Sequence, residues 1–524
     1  MRDLGEGNVF QPVQFRPDVE ARVRWVEETD PAQMVEATYR ELRGGTPPTD
    51  LLTASTLAVV RSTELPPQHH GGPLHPVCGV HAVHHVAKRL HGETGFLPII
   101  QHVALANNHV HSPQMGPYLM PAIEPLEGSP GEIGSYHISD AELTEGMSEQ
   151  AQKATRGVGA TKGAFHKSLR ALAAPAAEHY FLWLLQHLPA GEALDQLLPL
   201  AVARNGMDDH NFLFPVYSAR ALDCIGWEWA NVVFRPPVRY QARRGMRLIR
   251  NGYDFADVEA LVDDLKLLEI DIAERSHPGE TEQIGQLGFV MGRNKNYLDN
   301  IEPLARALAE GLSLEGAGEA LSVGAAAAYI STSYGNPMDS HLHTGTNNRR
   351  YLLRTPGVSR RNRILGLLTG FTGPEVLLAE RLLNWNENLD GDVTASLPDR
   401  DQEQLLDAIV DSIEGQPWLD WRKIGVASTV APDSVKETVA LARQYAERGY
   451  DAEAYFERLG EIACRDDFTE MHALKHFQAI VDEYYATREP YRWLHLVSAA
   501  KSAAIIHLGK EHSIYEQARS LLAA

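Results

Sequence analysis

Cysteine is almost missing from this chain: Cys78, Cys224 and Cys464 are the only three in 524 residues, and no two form a CxxC pair. That excludes a zinc ribbon and a disulfide framework, so any bound metal is expected to rest on nitrogen and oxygen ligands. Basic residues are scarce as well, with 48 Lys and Arg against 69 Asp and Glu and a formal net charge of -21. Such a surface does not track a phosphate backbone or an anionic membrane, so neither nucleic acid nor a membrane is expected as a partner. No run reaches the roughly 20 apolar residues of a spanning helix, and the start MRDLGEGNVFQPVQF lacks the basic-then-apolar pattern of a signal peptide. A cytoplasmic location is the expectation.

Familiar catalytic signatures are missing too. HExxH and GxSxG do not occur, which removes the zincin and the α/β-hydrolase elbow. GVGATKG at 157–163 has neither the spacing nor the preceding strand of a dinucleotide or phosphate loop, and no motif supports a nicotinamide or flavin. His91-Gly-Glu93 has the local spacing of a two-histidine, one-carboxylate triad, but that site normally needs a β-barrel.

Alternation of the strand type is nearly absent, whereas apolar residues recur at helical spacing in segment after segment. VEARVRWVEE, HYFLWLLQHL, DVEALVDDLKLLEIDIAER, IEPLARALAEGL, GPEVLLAERLLNW, QEQLLDAIVDSI, VKETVALARQYAERG and AEAYFERLGEIA all read as amphipathic helices. Asp30 and Pro31 mark the cap and first position of another, DPAQMVEATYRELRGG. The fold class is therefore all-α: one large multi-helical catalytic body spanning 1–524, with a soft subdivision in the acidic loop near 385–402. A Pro/Gly-rich stretch, SPQMGPYLMPAIEPLEGSPGEIG, is expected to be a long loop serving as a lid. LHPVCGVHAV at 74–83 echoes LFPVYSARAL at 213–222, which two helices with Pro near the first turn would also produce.

Histidine is what the chain has in excess. There are 23, ten of them between residues 61 and 111. Neutral imidazole offers a lone pair near pH 7 and is the commonest nitrogen ligand, although hydrogen-bonded or surface histidines are the plainer reading of any one of them.

Four constellations stand out. In HHGGPLHPVCGVHAVHHVAKRLH, His69, His70 and His75 sit at a helix start, His81 and His85 share a face, and Val80, Val83, Ala87 and Leu90 mark the core side. In DDHNFLFPVYSARAL, His210 opens an aromatic helix and would point into a pocket walled by Phe212, Phe214, Tyr217 and Trp227 or Trp229, unless Asp209 and His210 only cap it. In HLHTGTNNRRYLL, His341 and His343 face different ways on a helix, so one of them would ligate, or both if the segment is extended; Thr344, Thr346, Asn347 and Asn348 would orient the ligand. In MHALKHFQAIVDEYY, Met471, Leu474, Val481 and Tyr485 form an apolar stripe beside a face carrying His472, Lys475, His476 and Ala479. Lys475 and His476 are the catalytic candidates there. A buried lysine is useful to a cation only if neutral, or as an anionic carbon-dioxide adduct; otherwise Lys475 pairs with Glu470 or Asp482.

The order of HHGGPLH, DDHNFLFPVYSARAL, HLHTGTNNRRYLL, HALK and YRWLHLVSAAKSAA, spanning residues 69–500, resembles the questin oxidase-like family. That resemblance implies an all-helical fold and a non-haem Fe(II) held by four histidines and a carboxylated lysine. They fall on His70 or His75, His210, His343 (in a His-x-x-Thr pattern), His472 (in His-x-x-Lys) and Lys475. It also implies an oxygenase, mono- or dioxygenase, of secondary metabolism that hydroxylates or cleaves an aromatic polyketide-like substrate with dioxygen, Phe212, Tyr217, Trp227 and Trp229 contacting the substrate. The alternatives are a metal-dependent hydrolase using another divalent ion, which the same ligand types also serve, and a non-enzymatic helical binding protein.

Overall fold

The computed structural model describes residues 11–64, 74–116, 118–123, 157–204, 209–242, 255–294, 297–332, 340–370, 396–416, 434–465, 470–507 and 513–524. Among them every regular element is a helix, and the only β-type pairing is one isolated bridge between Pro12 and Pro121. The all-α expectation holds. No described helix is long and apolar enough to cross a membrane.

Local chemistry explains many of the boundaries. The Asp30 carboxylate accepts from the Ala32 amide and Pro31 follows in the first turn, as the sequence suggested. Asp401 and Gln404 form a capping box at the start of Gln402–Glu414. DVEALVDDLKLLEIDIAER is helical only over Phe255–Asp264, and Lys266 adopts a left-handed φ of 53° just beyond. The expected loop carries no helix over residues 112–116 and 118–123; its remainder, like GPEVLLAERLLNW and most of the 385–402 stretch, lies outside the described residues.

Six helices position the site: α1 (Leu74–Arg89), α2 (His210–Ile225), α3 (Leu314–Ser331), α4 (His341–Arg354), α5 (His472–Ala486) and α6 (Glu489–His507). Helices α1, α2, α4 and α5 close a cycle, each packed on the next, while α3 and α6 back the α4–α5 side. The four helices of the cycle run parallel, because side chains near both ends of each meet their counterparts. His75 meets His210 at one end, and near the other the Arg220 guanidinium donates to Asp482 at 2.8 Å and the Tyr351 hydroxyl to Asp223 at 2.7 Å. Parallel neighbours need long return connections, which is why they are so far apart in sequence.

Val80 and Val83 are buried along α1, and Leu90 just past its end, as the spacing predicts, whereas Ala87 of the same stripe is only partly buried. Helix α5 departs from its expected stripe: His472 through Val481 are all buried, and Tyr485 is 48% exposed. Packed by α1, α4 and α6 at once, α5 has no solvated face over its first half.

Candidate metal centre

Three of the helices in the cycle begin with a histidine, and the fourth has one at its second position: His210, His341, His472 and His75. Two of these starts are forced by the backbone. Asp209 takes φ 55° immediately before His210, and Glu470 and Met471 take φ 53° and 70° immediately before His472. Left-handed backbone costs energy in residues other than glycine and persists only where surroundings enforce it. At Asp209 the enforcement is a buried, two-pronged ion pair with Arg349, at 2.7 and 3.2 Å, and Arg349 also donates to the carbonyls of Gly345, Gly366 and Thr369. Gly345 makes room for this pair, since a Cβ there would lie 2.8 Å from the Asp209 carboxylate. Gly79 does the same for α5, where a Cβ would stand 3.1 Å from the Met471 side chain.

The four imidazoles form a closed ring. Neighbouring centroids are 5.2 Å apart for His75 and His210, 5.8 Å for His210 and His341, 5.3 Å for His341 and His472, and 4.7 Å for His472 and His75. Interplanar angles between 63° and 84° set every ring edge-on to the next. Nitrogens of His75, His210 and His472 all lie within 4.8 Å of one another, and all three residues are buried. A cavity of about 10 Å³ sits among the rings, room for a single water or ion.

One turn inward, the third residue after each histidine lines the same cavity: Cys78, Leu213, Thr344 and Lys475. A layer of four histidines thus stands over a layer of thiol, isobutyl, hydroxyl and ammonium or amine, with Phe214 and Tyr217 closing the wall. Burial pushes the Cys78 thiol up to about 12, against the opposing effect of nearby Lys475, so it stays protonated at neutral pH. Burial likewise raises the Tyr217 phenol.

Orientation is built in. The Nδ1 of His75 is hydrogen-bonded to the Glu470 carboxylate, which leaves Nε2 aimed at the Nε2 of His210, 3.4 Å away. A carboxylate on the outer nitrogen of a ligating histidine fixes its tautomer and sharpens its basicity. Clustered imidazoles, three of them with nitrogens within 4.8 Å of one another, suit iron, zinc, copper or nickel, so the donor set fits a transition metal. Four converging helix N-termini add positive potential, which the carboxylates of Asp209 and Glu470 at those same starts offset.

His343 is a correction. Its ring does not line the cavity but faces the opposite side of α4, with Nδ1 3.0 Å from the Nε2 of His476 and the His495 ring 5.8 Å away. His476, whose Nδ1 meets the Ser502 hydroxyl at 3.1 Å, is likewise outside the cavity lining. Both rings are held neutral by burial, His476 down to about 3 and His343 well below its ordinary value. His341 takes the place expected of His343. The motif HLHTGT contains His-x-x-Thr twice, and the first copy, His341 with Thr344, matches the three-residue step of the other helices. His70 lies outside the described residues, and His75 supplies the ring on α1.

The proposed substrate wall is also corrected in part. Tyr217 lines the cavity, but Phe212 points away, under the Arg349 guanidinium at 4.2 Å. Gly226, at φ 106°, ends α2 and turns the chain, so Trp227 donates to Asp223 at 2.8 Å and Trp229 packs edge-on against Phe15. Sequence reasoning missed Glu470, whose role depends on a left-handed turn that no residue type there announces. The internal echo has a spatial counterpart: Cys78 and Tyr217 occupy equivalent places after Pro76 and Pro215 on packed neighbours, and both line the cavity.

No protein-family model, characterised protein or solved structure matches the chain.

Proposed function

We propose that the ring of His75, His210, His341 and His472 holds one divalent iron, and that the protein is an oxygenase acting on an electron-rich aromatic small molecule. The observation that carries the reading is the ring itself: four buried imidazoles edge-on around a cavity of one-atom size, with His75 oriented by Glu470. Two nitrogens at roughly 2.0–2.1 Å from one tetrahedral ion lie about 3.3 Å apart, close to the 3.4 Å between the Nε2 atoms of His75 and His210. When bound, the iron would supply the redox chemistry and the activation of dioxygen.

The chain supplies the rest. Lys475, 5% exposed and lining the cavity one turn below His472, is unfavourable beside a cation as an ammonium. Its neutral amine can instead add to carbon dioxide, forming an N–C bond and releasing one proton, and the resulting carbamate places an anionic oxygen donor in the cavity. Phe214 and Tyr217 give the same cavity an aromatic wall, but its volume of about 10 Å³ admits the ion alone, so the substrate ring would have to meet the ion from outside this lining.

Metal analysis of protein purified without chelators is the first test. We expect close to one iron per chain, lost in His341→Ala and His472→Ala and kept in His343→Ala. The second test is oxygen consumption by the iron-loaded protein with a panel of hydroxylated anthraquinones and related polyphenols. Full occupancy in both His341→Ala and His472→Ala would remove the centre. A zinc-loaded protein that turns over ester or amide substrates without oxygen would replace the oxygenase by a hydrolase.

A further inference from the structure

The helices that bring their first residues to the ring carry a second group of ligand-type side chains farther along. His81 and His85 lie one turn apart on α1 with ring centroids 4.4 Å apart, and Cys224 lies near the end of the adjoining α2. One ring nitrogen or sulfur from each of the three falls within 4.8 Å of the others. All three are half-buried, so an ion can reach them from solvent. By the rise of a helix, His85 is about 15 Å along α1 from His75, too far for the two groups to share an ion.

We propose that His81, His85 and Cys224 form a second metal site, of zinc type, that clamps α1 to α2. Two imidazoles and one thiolate are the donors that select zinc among the common divalent ions, and magnesium and calcium are poorly served by them. Binding would transfer the Cys224 proton to solvent and form a metal–sulfur bond, so the ion enters with one negative charge supplied. The fourth position falls to water or to Asp482, whose Oδ2 is 3.1 Å from the Nε2 of His81. The charged neighbours include Arg220, which donates to Asp482 and contacts His81, and Lys88 on the next turn, with Asp482 and Asp223 opposing them. Such a site would revise the expectation that any metal rests on nitrogen and oxygen ligands alone.

Titration of the full-length, metal-free protein with Co(II), followed in the near ultraviolet, tests the site independently of the histidine ring. Thiolate bonded to cobalt gives a charge-transfer absorption that histidine ligands do not. The expected result is such an absorption, complete once two equivalents have filled both sites, in the parent protein and in Cys78→Ser, abolished in Cys224→Ser and weakened at least tenfold in apparent affinity in His85→Ala. Zinc is expected to raise the melting temperature of Cys78→Ser but to lose the part of that rise due to this site in Cys224→Ser. Absence of the absorption in the parent, or its survival in Cys224→Ser with loss in Cys78→Ser, would overturn the proposal, the latter by assigning the sulfur to the ring cavity.

Discussion

His75 and Glu470, 395 positions apart in sequence, are joined by a hydrogen bond from imidazole Nδ1 to carboxylate. Glu470 is also one of two consecutive left-handed residues that launch α5. A single carboxylate therefore both orients the ring on α1 and belongs to the turn that delivers His472. Its second oxygen lies 3.8 Å from the His109 Nε2, so the turn is tied to a third helix as well.

Glu470→Gln keeps the shape of this link and removes its charge. Loss of an outer carboxylate partner typically lowers metal affinity about 10- to 100-fold, and the same drop is expected here with helicity unchanged. Competition with a chelator of known affinity measures it. Unaltered affinity would mean that His75 needs no such orientation, or that it does not ligate.

Arg349→Met probes the other forced helix start. The substitution removes a guanidinium from a fully enclosed pair and leaves the Asp209 carboxylate buried, a loss on the order of 3–5 kcal/mol. Because that pair holds the left-handed residue before His210, metal affinity should fall together with stability. The double variant Arg349→Met, Asp209→Leu separates the two: removing the stranded charge should restore much of the stability while His210 remains loose. Chemical denaturation with and without metal reads both quantities.

These two starts show where legibility in the sequence ended. Apolar spacing is a property of consecutive residues, so the helices were readable, and so was the presence of a histidine at the head of α1, α2 and α5. The choice between His341 and His343 was not, because both sit on one helix with a threonine three residues on. Only packing decides which side of α4 faces the cavity, and His343 is taken up by His476 on the other side. Trp227 and Trp229 misled for a related reason. A helix rises 1.5 Å per residue, so Trp227 and Trp229 stand about 25 Å or more along the chain from His210, past Gly226 where α2 ends.

Buried histidines outside the ring predict the response to acid. His102 donates from Nε2 to the Pro76 carbonyl at 2.8 Å and accepts from Ser55, and His495 meets Ser322 and Thr487 at 3.2 Å. Burial holds both down to about 4. An unfolded histidine titrates near 6.5, so below that pH the unfolded chain binds protons that the folded one refuses. Stability is therefore complete above about pH 6.5 and declines as pH falls toward 4. Denaturant midpoints for the metal-free protein at pH 7.5, 6, 5 and 4.5 should show this decline, and it should be shallower in His495→Gln. A flat profile over that range would contradict the assignment of these rings as neutral and enclosed.

Lys475 allows the sharpest separation of structure from chemistry. Lys475→Met has nearly the same volume and no charge, so a lysine that serves only packing would be replaced without loss, and a buried charge removed from an apolar wall can even add stability. If its nitrogen carries a carbamate that reaches the ion, the same substitution should reduce metal affinity while the protein stays folded. Formate or acetate at millimolar concentration should restore part of that affinity in Lys475→Ala, where the shortened side chain leaves room for a free carboxylate. In the parent protein, removing dissolved carbon dioxide and bicarbonate should weaken binding, and returning them should reverse it; Lys475→Met should be indifferent to both. Equal metal affinity for the parent and Lys475→Met, with no dependence on carbon dioxide in either, would leave the four imidazoles as the whole donor set.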